Sequence, residues 1–117
     1  MLVVDDEAAH VEVLLRALEM KGHDGAGAPS VEEAAKLLAA GPFDFVLLDH
    51  VLPGKTGMES ISRLKTLTRA PIHIMSGYSD DDTRRDAELL GADGFQGKPL
   101  DLDVLYAALA ALPERGG

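Results

Sequence analysis

Short apolar runs alternate along the chain with longer segments whose apolar residues recur at helical spacing. Leu2–Val4 is a β-branched run that is too short for a helix, so it predicts a strand. A helix is predicted to follow and to end at Gly22. Its apolar residues are Val11, Leu14, Leu15 and Leu18. Residues 23–28 form the weakest strand candidate, because they include Gly25 and Gly27.

The middle of the chain repeats this alternation with clearer boundaries. Ser30 is a candidate N-cap, with Glu33 as its capping-box partner, for a helix that ends at Gly41. Residues 43–48 are apolar apart from one aspartate, which predicts a strand buried on both faces. The next helix is predicted to begin near Gly57.

Two further strand and helix pairs complete the pattern. Residues 72–75 form a short apolar strand. Residues 80–90 form a helix whose first turn is acidic, as the helix dipole favours. Phe95 lies in a brief fifth strand, and Asp101 is expected to cap a last helix that runs through Leu112.

Five strands that alternate with five helices predict a parallel sheet with right-handed crossovers. We therefore expect an α/β fold, a three-layer, doubly wound sandwich. The chain has 117 residues, the size of one domain, which we place at residues 1–112. Residues 113–117 are interpreted as a tail or the start of a linker. The absence of cysteine excludes disulfides, Cys-ligated zinc and a thiol nucleophile.

Acidic residues outnumber basic ones, with 20 Asp and Glu against 11 Lys and Arg and a net charge of −9. Such a domain repels a phosphate backbone, so we expect no direct nucleic-acid binding by it. Every apolar run is far shorter than the roughly 18 residues of a membrane span. The first residues lack the basic and apolar regions of a signal peptide. We expect a soluble, cytoplasmic protein.

Acidic residues directly follow two of the predicted strands. Asp5 and Asp6 come after the first strand, and Asp49 comes after the third. The carboxyl ends of parallel strands meet at one edge of a sheet, so these carboxylates converge if the two strands are neighbours. Each could instead cap a helix or begin a turn. Clustered carboxylates favour a bound cation, and an all-oxygen site without a calcium-binding loop favours Mg²⁺.

Two more polar residues follow strands at the same edge. Ser76 comes after the fourth strand, and Lys98 comes after the fifth. Taken singly, each would be interpreted as an ordinary surface or loop residue. Together with a metal and carboxylates they form a site for a phosphoryl group, because phosphoryl transfer needs mainly positioning and charge neutralisation. Asp49 is then the candidate nucleophile, which would form an aspartyl phosphate.

Four motifs make the chain resemble the receiver domain of two-component response regulators over residues 2–112. They are LVVDDE at residues 2–7, LLDHVLPGKTG at 47–57, MSG at 75–77 and GADGFQGKP at 91–99. The resemblance implies a flavodoxin-like sheet of strand order 2-1-3-4-5. It also implies Mg²⁺-dependent transfer of a phosphoryl group from a sensor histidine kinase or a histidine phosphotransfer protein, with Mn²⁺ as a substitute metal.

The resemblance assigns roles in metal binding and phosphorylation. Asp49 is the phosphorylation site and a metal ligand. Asp6 is a direct metal ligand, and Asp5 acts largely through a metal-bound water. The backbone carbonyl of Val51 is the third protein ligand. Beyond its own phosphorylation and dephosphorylation, we expect no enzymatic activity.

The remaining matches concern a conformational switch. Ser76 matches the hydroxyl that moves to hydrogen-bond the phosphoryl group, and Lys98 matches the lysine that pairs with it. Phe95 matches the aromatic residue that rotates inward as Ser76 moves, although a plain core aromatic is the alternative interpretation. The bond between Lys98 and Pro99 is expected to be cis.

Other residues near the site carry predictions of their own. His50 is expected to point away from Asp49, because successive strand side chains face opposite sides. The apolar side chain of Val51 cannot orient a water, and Tyr78 could shield the phosphoryl group. We therefore predict a slowly hydrolysing aspartyl phosphate. The other histidines are interpreted as structural or surface residues, namely His10, His23 and His73.

Three other functions stay open as alternatives. A haloacid-dehalogenase-like phosphatase would need an aspartate where Val51 lies, and a cap domain. The second alternative is a phosphorylation-independent interaction module. The third is an FMN binder, although the acidic residues 5–7 would repel the phosphate of FMN.

The partners of the domain are also left open. An output domain or a protein partner is expected. A homodimer is one alternative, although Gly94 and a last helix without basic residues differ from the charged set of one dimerising subset. The positions of Met1 and Gly117 suggest a domain excised from a longer protein.

Overall fold

Five parallel strands form the main sheet of the computed structural model, which describes residues 1–52, 55–77 and 81–112. The described residues contain seven strands, five in the main sheet and two in a separate ribbon: β1 (Leu2–Val4), β2 (Ala26–Ala28), β3 (Val46–Asp49), β4 (Val51–Leu52), β5 (Lys55–Thr56), β6 (Ile72–Ser76) and β7 (Gly94–Gly97). The helices are α1 (Ala8–Met20), α2 (Val31–Ala40), α3 (Gly57–Lys65), α4 (Asp81–Leu89) and α5 (Leu102–Ala110). The main sheet has the order β2-β1-β3-β6-β7. This order confirms the predicted 2-1-3-4-5 arrangement, because β4 and β5 form a separate antiparallel ribbon.

Strand β1 lies between β2 and β3 and determines where the acidic residues meet. Val3 pairs with Gly27 on one side and with Leu47 on the other, and both pairings are parallel. The carboxyl ends of β1 and β3 therefore lie side by side at one edge of the sheet. Asp5 follows the first of these ends, and Asp49 is the last residue of the second.

The side chains of β1 alternate between two buried apolar clusters, one on each face of the sheet. Leu2 and Val4 belong to the first cluster, and Val3 belongs to the second. Helical residues complete the clusters: Ala34, Ile61 and Leu64 in the first, and Leu14, Leu18 and Leu105 in the second. Burial of both faces is what makes the strands read as continuous apolar runs.

Strand β2 forms despite its glycines, and the position of α1 explains why they are there. A Cβ added at Gly27 would lie 2.4 Å from Val11 Cγ1. A Cβ added just before β2, at Gly25, would lie 2.6 Å from Leu15 Cδ2. Both distances are shorter than carbon atoms tolerate. The glycines that weaken the strand signal therefore let α1 pack directly against this edge of the sheet.

Strand β3 begins at Val46, not at residue 43 as predicted, and it includes Asp49. Val46 pairs with Leu2 and with Ile72, which are the first residues of the two neighbouring strands. Residues 43–45 precede both pairings, although the Phe45 carbonyl still accepts a hydrogen bond from the Leu2 amide at 2.9 Å. The aromatic side chains of Phe43 and Phe45 pack against the two apolar clusters. Phe45, for example, is 1% exposed.

Helix starts follow the predicted capping chemistry in most cases. The Ser30 hydroxyl accepts a hydrogen bond from the Glu33 amide at 3.2 Å, which is one half of the predicted capping box. The complete box is at α3, where the Thr56 hydroxyl accepts from the Glu59 amide and the Glu59 carboxylate accepts from the Thr56 amide. The Asp101 carboxylate caps α5 as expected. Among the described residues, no helix is long and apolar enough to cross a membrane.

Candidate functional site

Three carboxylates meet where β1 and β3 end side by side. Oxygen atoms of Asp5, Asp6 and Asp49 all lie within 4.8 Å of one another. Asp5 is 1% exposed and Asp49 is 4% exposed, whereas Asp6 is open to solvent. The structure thus brings together the acidic residues that were singled out from their positions after strands.

Two donors among the described residues bind the carboxylate of Asp49. Lys98 Nζ donates to Asp49 Oδ2 at 2.8 Å, and the Val51 amide donates to Oδ1 at 3.2 Å. Burial raises the pKa of Asp49, the hydrogen bonds from Lys98 and Val51 oppose this effect, and the charge of Asp5 adds to it. The net pKa is raised above its ordinary value, because the two donors do not offset burial among like charges.

Asp5 has the opposite balance. Burial raises its pKa, but hydrogen bonds from the Glu7 amide and from His10, with the positive charge of Lys98, outweigh burial and hold the pKa below its ordinary value. The Glu7 amide donates to Asp5 Oδ1 at 3.0 Å, and His10 Nδ1 lies 2.5 Å from Asp5 Oδ2. Asp5 is therefore the buried carboxylate that stays ionised most readily.

His10 was interpreted as a structural or surface residue, and the structure shows a contact of its side chain that the sequence did not predict. It lies in the first turns of α1, and its imidazole contacts a carboxylate of the site. Positions directly after strands point only to residues at the strand ends. A residue on the helix that begins at the same edge can reach that edge as well. The spacing between Asp5 and His10 was the available signal.

Ser76 and Lys98 lie together at the same edge. Ser76 ends β6 and is 1% exposed, and its backbone carbonyl accepts a hydrogen bond from the Lys98 amide at 2.9 Å. The peptide bond between Lys98 and Pro99 is cis, as expected. These contacts join the end of β6 to the loop after β7, so the hydroxyl and the ammonium share one backbone support.

Phe95 faces α4 and is half-buried. It packs against the first apolar cluster, and the guanidinium carbon of Arg84 lies 5.2 Å from the centre of its ring. A cation at this distance is attracted to the face of an aromatic ring. Both interpretations of Phe95, switch residue and core aromatic, agree with this position.

The first residue of α3 is in close contact with the backbone of the site. A Cβ added at Gly57 would lie 2.2 Å from the carbonyl oxygen of Asp49 and 3.1 Å from the Cα of His50. The Gly57 amide also donates to the His50 carbonyl at 2.7 Å. The sequence predicted that a helix begins here, but not that its first residue touches the end of β3.

Two further expectations concern neighbours of the site. The Nδ1 atom of His50 is buried and has no hydrogen-bond partner among the described residues, so it does not bind the carboxylate of Asp49. The side chain of Val51 is 62% exposed. Tyr78 lies outside the described residues.

The acidic pocket fits a hard divalent cation. Its carboxylates offer oxygen atoms, the ligands that Mg²⁺ prefers. Burial disfavours the charged form of Asp49 and raises its pKa, and the hydrogen bond and positive charge of Lys98 do not offset this effect. A divalent cation among these oxygens would supply the missing positive charge.

Comparison with known proteins agrees with this arrangement. The family model of the response regulator receiver domain matches residues 1–110. The chain belongs to this family. One relative is the phosphate regulon transcriptional regulatory protein PhoB of Pseudomonas aeruginosa, which is 34% identical over 119 aligned positions that cover 99% of this chain and 52% of PhoB. This receiver domain spans about half the length of the first curated relatives that it matches, namely 52%, 47% and 46%.

Solved receiver-family structures resemble the chain along nearly its whole length. The response regulator TrrA of Thermotoga maritima, solved in complex with Mg²⁺-BeF, is 32% identical with a TM-score of 0.83 and 96% coverage of both chains. A response regulator of Burkholderia pseudomallei was solved with a phosphorylated aspartic acid, a calcium ion and citrate. It is 33% identical with a TM-score of 0.83, and the match covers 97% of this chain and 65% of that one.

Proposed function

We propose that Asp49 of this receiver domain accepts a phosphoryl group from the phosphohistidine of a sensor histidine kinase or a histidine phosphotransfer protein. The observation that carries the proposal is the buried Asp49 carboxylate, bound by Lys98 at 2.8 Å and surrounded by Asp5 and Asp6. A buried carboxylate with one ammonium and two acidic neighbours is typical of a functional site and not of a packed core.

The proposed reaction exchanges one bond to phosphorus for another. An oxygen of Asp49 forms a P–O bond while the P–N bond to the donor imidazole breaks, and the electron pair of that bond leaves with the imidazole. Lys98 stabilises the negative charge of the transferred group as a point charge. Burial of Asp49 keeps bulk water from competing with the carboxylate.

Asp5, Asp6 and Asp49, with the backbone carbonyl of Val51, would hold the metal ion, for which we propose Mg²⁺ with Mn²⁺ as a substitute. The metal would neutralise charge on the phosphoryl oxygens. Asp5 has its two oxygens oriented by the Glu7 amide and by His10, so it is fixed before any ligand arrives. Such orientation of ligands by their neighbours is usual in metal sites.

The phosphoryl group adds roughly two negative charges at neutral pH. We propose that Ser76 and Lys98 bind its oxygens, and that the movement of Ser76 gives Phe95 room to turn inward. A ligand shifts such an equilibrium only through contacts that differ between the states, and these are the contacts that would differ. Beyond phosphorylating and dephosphorylating itself, the domain would have no enzymatic activity.

We propose that the output of the switch is produced outside this domain. Curated relatives are transcriptional regulatory proteins about twice as long as the match, so we propose that an output domain or a protein partner reads the phosphorylated state. The net charge of −9 supports the view that this domain does not itself bind nucleic acid. The phosphodonor would be met in the cytoplasm.

Intact-mass spectrometry after incubation with acetyl phosphate tests the proposal. We expect the wild type to gain one phosphoryl group when Mg²⁺ is present, and Asp49→Asn to gain none. Chelation of the metal should abolish the gain. A wild type that stays unmodified under conditions that preserve acyl phosphates would favour a phosphorylation-independent interaction module.

A further inference from the structure

His10 places an imidazole nitrogen beside the carboxylates of the metal pocket. Its Nδ1 lies 2.5 Å from Asp5 Oδ2, and its side chain is 27% exposed. Ligand atoms of Asp5, Glu7 and His10 lie within 4.8 Å of one another. Asp5 also belongs to the group of three carboxylates, so one buried residue is common to both sets.

This arrangement changes the chemistry that the pocket offers to a cation. Three carboxylates alone are a hard, all-oxygen site, which suits Mg²⁺. An imidazole nitrogen suits transition metals better, and affinities for mixed nitrogen and oxygen sites rise along the first-row series. A cation that reaches Asp5 Oδ2 is also within reach of His10 Nδ1, because the two atoms are adjacent.

We propose that His10 is a specificity-determining residue of the metal pocket, which raises the affinity of the pocket for transition-metal cations relative to Mg²⁺ by adding a nitrogen ligand next to Asp5. The inference rests on the proposed function, because it concerns the same metal pocket. The partly exposed ring can shift by the small distance that separates a hydrogen bond from shared coordination. Glu7, which is exposed, has a carboxylate close enough to join such a site.

Two substitutions distinguish a role of His10 as a nitrogen ligand of the metal from a role as a hydrogen-bond donor to Asp5. His10→Asn keeps an amide N–H that can donate to Asp5 but removes the imidazole, and its carbonyl is a hard oxygen ligand. His10→Leu removes both properties. His23→Asn is the matched control, because His23 follows the far end of α1, and that end lies about 15 Å from His10 along the helix axis.

The experiment titrates the full chain with Co²⁺ and with Mg²⁺ and measures both affinities by calorimetry. The visible absorption of bound Co²⁺ gives a second readout that does not depend on phosphorylation. We expect the ratio of Co²⁺ to Mg²⁺ affinity to fall about tenfold or more in both His10 variants. The Co²⁺ spectrum should lose its nitrogen-ligand character, and His23→Asn should match the wild type.

Equal changes in the two affinities would overturn the inference. His10 would then act as a hydrogen-bonding or charged neighbour of Asp5 and not as a ligand, and His10→Asn would resemble the wild type in its metal preference. That result leaves the proposed function intact, provided that the wild type still takes up a phosphoryl group with Mg²⁺. Failure of the wild type to bind either metal would instead count against the proposed function itself.

Discussion

Replacement of Gly57 by alanine isolates the contact between α3 and the phosphoryl-acceptor site. Gly57 is the first residue of α3, and helix propensity by itself predicts that alanine stabilises the helix by up to about 1 kcal/mol. The tertiary contact predicts the opposite sign. The added Cβ would lie 2.2 Å from the carbonyl oxygen of Asp49 and 2.9 Å from its carbonyl carbon.

The size of the effect follows from these distances. Ordinary van der Waals contact needs roughly 3.5 Å, so the start of α3 and the end of β3 must separate by about 1 Å. Both sides of the contact are backbone, which cannot turn aside as a side chain can. Overpacking of this kind costs about 1–3 kcal/mol of stability. A displacement of about 1 Å in a reacting group costs roughly 100-fold in rate.

The assay compares Gly57→Ala with Gly41→Ala and Gly77→Ala. A Cβ added at either control position meets no atom of the described residues within 4 Å, and Gly77 directly follows Ser76 of the site. Urea unfolding gives the free energy of unfolding, and the rate of mass gain with acetyl phosphate and Mg²⁺ reports on the site. We expect a loss in both measurements for Gly57→Ala alone. A Gly57→Ala protein as stable and as rapidly phosphorylated as the controls would refute the reasoning.

Three further predictions concern charge, pH and capping. Lys98→Gln should raise the pKa of Asp49 still further, because the ammonium group that donates to the carboxylate is lost. Carbon NMR of the labelled Asp49 carboxyl checks this, and an unchanged midpoint of its pH titration would contradict it. Burial lowers the pKa of His73 below its ordinary value near 6.5, so the unfolded chain binds the proton more readily. The free energy of unfolding should therefore fall as pH drops below about 6.5, and it should fall less in His73→Leu. Urea unfolding at a series of pH values checks this, and the same loss of unfolding free energy in both proteins would argue against it. Thr56→Ala should cost about 1–2 kcal/mol and Ser30→Ala about 1 kcal/mol, since only Thr56 has the complete capping box, and the reverse order in urea unfolding would be unexpected.

The alternation of strands and helices was predictable because the central strands β1 and β3 are buried throughout and β6 is buried apart from one half-buried residue. The exceptions have physical causes. The ribbon formed by β4 and β5 has two residues in each strand, too few for any periodicity to be read. The start of β3 was predicted too early because the buried Phe45 packs into the core beyond the ends of the neighbouring strands.

The candidate site was predictable where it depends on strand ends and less so where it depends on helices. Asp5 and Asp49 follow from the rule that carboxyl ends of parallel strands meet at one edge. His10 and Gly57 reach the same edge from helices, and their contacts depend on how α1 and α3 pack. Packing of this kind is a tertiary property that the positions of the strand ends do not encode.

The position of the phosphoryl group tests the central claim most directly. Borohydride reduces an aspartyl phosphate to homoserine, and peptide mass spectrometry then identifies the residue that carried it. After treatment with acetyl phosphate and Mg²⁺, we predict homoserine at position 49 and unchanged aspartate at positions 5 and 6. Homoserine at another position, or none in a protein that has gained the mass of a phosphoryl group, would contradict the assignment of Asp49 as the acceptor.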